Sequence, residues 1–103
     1  MIMRLVWHDL AYKELLSIGQ KVSEMFGKNV ADKVIKGIIQ NISSLSKYPY
    51  LGTADLRYKP FLVLHSKHNR IFYHVSDNEI KIIAIWDNRR DDALLHGMLE
   101  TRI

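Results

Sequence analysis

Cysteine is absent from this 103-residue chain, proline occurs twice and glycine five times. No apolar run approaches the roughly 18 residues that a membrane-crossing helix needs. Without cysteine there is no disulfide scaffold, no thiolate zinc site and no thiol nucleophile. With 25% charged and 48% apolar residues, the composition excludes a disordered or fibrous chain. Residues 1–7 are too short for a secretory signal. The sequence therefore reads as one soluble, cytoplasmic domain over residues 1–103, whose single core is held by packing alone.

The charge is uneven. Formal net charge is +4, and all of the excess lies between Arg57 and Arg90, where seven basic residues meet three acidic ones. His65, His68 and His74 fall in the same stretch and add charge below about pH 6.5. Such a bias suits a polyanion or an acidic protein partner; the plainer reading is solubility.

The first half carries a helical period. Ala11, Leu15, Ile18, Val22, Met25 and Phe26 recur in steps of three and four over 9–26, with Asp9 as cap and Gly27 as stop. A second stripe, Ala31, Val34, Ile35, Ile38, Ile42 and Leu45, follows Asn29 as cap and ends before Pro49. The short break between the stripes predicts an antiparallel helical hairpin.

The second half changes to strand chemistry. Segments 61–65, 70–75 and 80–86 are rich in β-branched and aromatic residues and are separated by short polar turns, which predicts an antiparallel meander. The first of these strands is expected to reach back to Leu56, with Pro60 marking an edge or bulge, and 2–7 can add one more strand. Asp91 can cap a short final helix carrying Leu94, Leu95, Met98 and Leu99. The fold class is thus α+β, a helical hairpin on one face of a sheet of three or four mainly antiparallel strands, with a short C-terminal helix. The opposite face is expected to lie open, with Arg57, Lys59 and His65 on one side of its first strand and Arg70 beside His74 on the next.

In order, size and local sequence the chain resembles the RelE/ParE superfamily of toxins from bacterial type II toxin–antitoxin modules. The likeness rests on Leu45-Ser46-Lys47-Tyr48-Pro49-Tyr50-Leu51-Gly52 after the hairpin, on Leu56-Arg57, on Arg70-Ile71-Phe72-Tyr73, and on the closing stretch from Ile80 to Arg90 with its Trp86-Asp87-Asn88-Arg89-Arg90. It implies a toxin, of the kind known for plasmid stabilisation, that is silenced by an acidic antitoxin. The target it implies is DNA gyrase for the ParE-like branch, which the two long helices favour, or the ribosome with its mRNA for the RelE-like branch. An inactive remnant or a regulatory binding protein of the same fold is the third option.

A metal-free ribonuclease would need a base for the ribose 2′-hydroxyl, an acid for the leaving 5′-oxygen, and cations around the phosphorane. The candidates are His65, His68 and His96 for proton transfer, and Arg57, Lys67, Arg70, Arg89 and Arg90 for phosphate or target binding. Each has a structural counter-reading. Arg57 and Arg70 can pair with Asp55, Asp77 or Glu79, and one of Arg89 and Arg90 with Asp87 or Asp92. Tyr73, Trp7 and Trp86 read as core residues, His74 as a solvated strand residue, and His8 as part of the first helix start. No histidine pair has the i, i+4 spacing of a zinc site and no glycine-rich phosphate loop is present, so neither metal nor cofactor is expected.

Overall fold

The computed structural model describes residues 2–102. Strand β1 (Arg4–Trp7) leads into helices α1 (Asp9–Phe26) and α2 (Lys28–Leu45). Strands β2 (Thr53–Ala54), β3 (Leu62–His65), β4 (Asn69–Val75) and β5 (Glu79–Asp87) follow, and helix α3 (Leu95–Glu100) closes the chain. Two 3₁₀ turns, Leu56–Tyr58 and Asp92–Leu94, interrupt this series. The sheet has five strands in the order β1-β5-β4-β3-β2, all antiparallel except β1, which runs parallel to β5.

The hairpin forms where the periodicity places it, with small shifts at its ends. His8 rather than Asp9 caps α1, its Nδ1 accepting the Leu10 N–H at 3.1 Å. Gly27 alone joins the helices: its N–H closes α1 on the Ser23 carbonyl, and its own carbonyl accepts from Ala31 at the start of α2. A φ of 90° at Gly27 accounts for the residue type, because a Cβ makes that region costly. The second helix therefore starts at Lys28, and Asn29 lies inside it.

Ala11, Leu15, Ile18, Ile38, Ile42 and Leu45 seal one side of the sheet against Leu64, Ile71, Tyr73, Ile80, Ile82 and Ile85. A bulge sets which β5 residues face this way. Phe72 pairs with Ala84 and Tyr73 with Ile82, leaving Ile83 unopposed. Strand alternation therefore switches phase: Ile80 and Ile82 face the helices before the bulge and Ile85 after it. Gly52 is the close approach that β4 needs. Its N–H donates to the Tyr73 hydroxyl at 2.9 Å, and a Cβ there would stand 2.7 Å from that oxygen and 2.8 Å from the Val63 carbonyl.

The sheet has five strands where three or four were expected, and two further expectations about it fail. The strand does not begin at Leu56. The Asp55 side chain accepts the Arg57 N–H at 2.9 Å and turns the backbone, so Arg57, Lys59 and His65 do not share one strand face. Nor is the second face of the sheet open. Tyr58, Phe61, Leu95 and Leu99 cover Val63, Phe72, Ile83, Ala84 and Trp86, and Tyr58 meets Phe72 edge-on at 5.1 Å. The short elements flanking the strands carry enough apolar area to dry this face, which a search for long periodic stripes overlooks.

Candidate functional site

The end of β3, the start of β4 and the end of β5 meet at one rim of the sheet. His65 pairs with Arg70 and Arg70 with Trp86, Asn69 pairs with Asp87, and the Asn88 N–H reaches the His68 carbonyl at 3.0 Å. The turn holding Lys67 and His68 therefore lies beside Asn88, Arg89 and Arg90. Arg57 joins through its neighbour Tyr58, whose hydroxyl accepts from Arg70 Nη1 at 3.3 Å. The five predicted cations, dispersed over more than 30 residues of sequence, gather here.

Three of the five, Arg57, Arg70 and Arg89, are not free cations. Arg57 Nη2 lies 2.7 Å from Asp55 Oδ2. Arg89 lies 2.9 Å from Asp87, and Arg70 lies 2.6 Å from Asp92. The Arg57 hydrogen bonds pull the Asp55 carboxyl down to about 2, and those of Arg89 and Arg70 lower Asp87 and Asp92 likewise. Arg57 found the partner the sequence offered; Arg70 did not. Its carboxylate is Asp92, because the final segment folds back over the face of β4 while Asp55 is taken by Arg57. Arg90 forms no ion pair among the described residues and instead lies over the Trp86 ring, 4.2 Å from its centroid.

The rim also divides between the two faces of the sheet. Arg70 and His65 belong to the face of Trp86 and Phe72, whereas Arg90 straddles the edge, lying over the Trp86 ring while also lining the clefts beside α1 with Lys21. Arg89 and His68 border a groove of about 290 Å³ on the helix side, floored by Ile18, Val22 and Val34. His96 is on α3 with Nδ1 3.3 Å from Glu100 Oε1, a pair one helical turn apart. No hydrogen bond joins any two of His65, His68 and His96 among the described residues. His74 turns its ring edge to Phe61 at 6.5 Å. Tyr73 is fully buried, and burial raises its hydroxyl pKa. Among the described residues no three His, Asp or Glu side chains converge as a metal set requires.

Several contributors escaped the sequence reading. Asn88 accepts from Arg70 Nε at 2.9 Å and thereby fixes the guanidinium plane. Glu14 and Arg102 form a buried pair at 2.8 Å that ties the chain end to α1. Glu14 Oε1 also accepts the Ile85 N–H, and Arg102 Nη1 donates to the Ile83 carbonyl, which satisfies β5 beyond the point where β1 ends. No local signal links partners 88 positions apart. None of the described helices is long and apolar enough to cross a membrane.

Residues 5–92 match the family described as ParE toxin of type II toxin-antitoxin system, parDE. Among solved structures, the chromosomal ParDE toxin–antitoxin system of P. aeruginosa contains a chain with TM-score 0.74 and 21% identity, the match covering 84% of this chain and 96% of that one. A free-state arginine-to-alanine double mutant of E. coli toxin RelE gives TM-score 0.66 and 18% identity over 100% of this chain and 99% of the other. At these identities the likeness is one of fold. No curated protein matches the sequence.

Proposed function

The chain belongs to the ParE toxin family of type II toxin–antitoxin systems, and on that premise we propose that it arrests growth in the ParE manner, by inhibiting DNA gyrase in the cytoplasm, until a cognate acidic antitoxin binds it. The observation that carries this reading is the state of the rim. Arg57, Arg70 and Arg89 are each matched by a carboxylate, only Lys67 and Arg90 of the five cations form no ion pair among the described residues, and no hydrogen bond among those residues joins any two of His65, His68 and His96. RNA cleavage needs uncompensated cations around the phosphorane together with a paired acid and base. A surface that grips a protein does not.

The antitoxin has two features to engage. The helix-side groove offers apolar walls, and Lys21, Lys33, Lys67 and Arg90 stand around it and its neighbouring clefts, which suits a segment that alternates apolar and acidic residues. His65 opposite Arg70 on adjacent strands is the one pairing that favours the alternative, a metal-free, ribosome-dependent mRNA endonuclease.

Induction of the protein alone in a bacterium separates the readings. Gyrase inhibition gives double-strand DNA breaks and an SOS response with intact message. The nuclease gives message cut only where ribosomes are present, and soluble protein without arrest gives the regulatory or inactive option. Arg57→Ala with Arg89→Ala is expected to relieve the arrest while the domain still folds, with a lowered melting temperature because the Asp87 side chain, 9% exposed, loses its partner.

A further inference from the structure

Strand β1 is an edge of the sheet, and its outer side is only partly closed. The N–H groups of Arg4 and His8 donate toward β5, to the carbonyls of Asn78 at 3.3 Å and Ile82 at 2.9 Å. Strand alternation turns the N–H and C=O of Leu5 and Trp7 the other way, where none of the described strands pairs with β1. Ser46, just past α2, closes one end of that row by accepting the Met3 N–H at 2.9 Å and donating its hydroxyl to the Met3 carbonyl. At the other end the chain turns into α1 at Asp9. The open stretch runs from Leu5 to Trp7 with Val6 at its centre. An edge of this kind is a template for another chain, and sheets that avoid pairing blunt theirs with proline, lysine or a bulge. Strand β1 has none of these, and its one charge, Arg4, is held by Glu79 at 2.8 Å.

The length of the opening selects its occupant. A longer strand meets Ser46 at one end and α1 at the other, whereas a second copy of this chain brings an open stretch of equal length. Placed antiparallel about a two-fold axis at Val6, Leu5 of each copy exchanges both backbone hydrogen bonds with Trp7 of the other, and the two Val6 side chains face each other. The same axis brings Ile2 of one copy beside the first turn of α1 in the other, where Leu10 stands. These apolar residues are 79% and 42% exposed in the single chain. Arg4 stays on Glu79 and falls opposite His8, whose ring accepts the Leu10 N–H and is therefore neutral. We propose that β1 is a homodimer edge, through which two five-stranded sheets join into one. The cationic rim lies toward the far end of β5, so each copy keeps its own rim accessible. The edge does not depend on which machine the toxin arrests, and failure of the gyrase reading leaves it intact.

The chain has no cysteine, so a single introduced one reports the geometry without interference. Directly opposed residues that do not exchange backbone bonds have Cα atoms about 4.5 Å apart, within disulfide reach. Val6→Cys is therefore expected to form a disulfide-linked dimer under mild oxidation, at least about tenfold faster than Arg4→Cys, whose two copies lie roughly 13 Å apart along the strands. In analytical ultracentrifugation the wild type is expected to approach twice the chain mass as concentration rises. Val6→Glu has Lys81 beside it in the single chain and a second glutamate across the axis in the dimer, and should weaken association about fivefold or more. The wild type and the two cysteine variants carry the test if Val6→Glu does not fold. A wild type still monomeric at about 1 mM, or cross-linking of Arg4→Cys as fast as of Val6→Cys, overturns the proposal.

Discussion

On the side of the sheet covered by α1 and α2, the seal is made by two 18-residue helices whose apolar residues repeat with the helical turn. On the other side the seal is made by Tyr58, Phe61, Leu95 and Leu99, contributed by a three-residue turn, a loop position and a six-residue helix. Both sides are equally dry at their centres: Ile42 is 1% exposed and Phe72 is fully buried. They differ in what holds the cover in place. A long helix presents its whole stripe once it forms, whereas segments this short are marginal as helices and need fixing at their ends. Ion pairs supply that fixing, with Arg70–Asp92 at the start of the C-terminal segment and Arg102–Glu14 at its end. The cations read from the sequence as surface for a partner thus include one, Arg70, that fastens the second cover.

The largest effect is expected where the two sides join. Glu14→Leu leaves the Arg102 guanidinium buried without its anion and should cost about 3–5 kcal/mol in chemical denaturation, most of it recovered by adding Arg102→Met. A single substitution indistinguishable from wild type would mean that the pair does not fasten the C-terminal segment.

The two covers themselves come next. Ile42→Ala should destabilise the whole domain by about 2–5 kcal/mol with an unchanged denaturant slope, since it removes packing from the shared sheet. Leu99→Ala should cost about 2 kcal/mol, at the low end of the same range, because α3 can detach before the sheet unfolds. Hydrogen exchange is then expected to rise in α3 alone. Uniform loss of protection in both variants would erase the difference between the covers.

The smallest effect tests the N-terminal cap of α1. His8 Nδ1 can accept the Leu10 N–H only while the ring is neutral, and burial, followed by the charges of Arg102 and Lys81, holds its pKa below the ordinary 6.5. The unfolded chain therefore binds the proton more readily. This contribution is complete above pH 6.5 and is lost as pH falls through the lower folded value. His8→Ala should cost about 1 kcal/mol near neutral pH and less in mild acid, read from denaturation midpoints across the range. An identical cost at both would remove the cap from the account. The low carboxyl values of Asp87 and Asp92 act further down the scale: their stabilisation is present above 3.8 and fades below it.

Both helices and the three central strands were legible in the sequence, because each is written in neighbouring residues as a period or a turn; Asp91 does cap, but it caps the 3₁₀ turn Asp92–Leu94 and not α3, which starts without a side-chain cap. The cationic rim was legible as a list of residues and not as a site. Arg57 and Arg89 pair two positions away, within reach of inspection, whereas Arg70 finds Asp92 from 22 positions away.

The amino-acid sequence by itself determined which residues must leave water and which local structures they form, for hydrophobic periodicity acts over a few bonds. Tertiary structure alone decided what covers each face: that β1 inserts parallel to β5, that β5 bulges at Ile83, and that the chain end returns to lock Arg102 onto Glu14. Those choices are made by shape and by the need to pair buried charges across the fold. Both are properties of the assembled molecule rather than of any stretch of it.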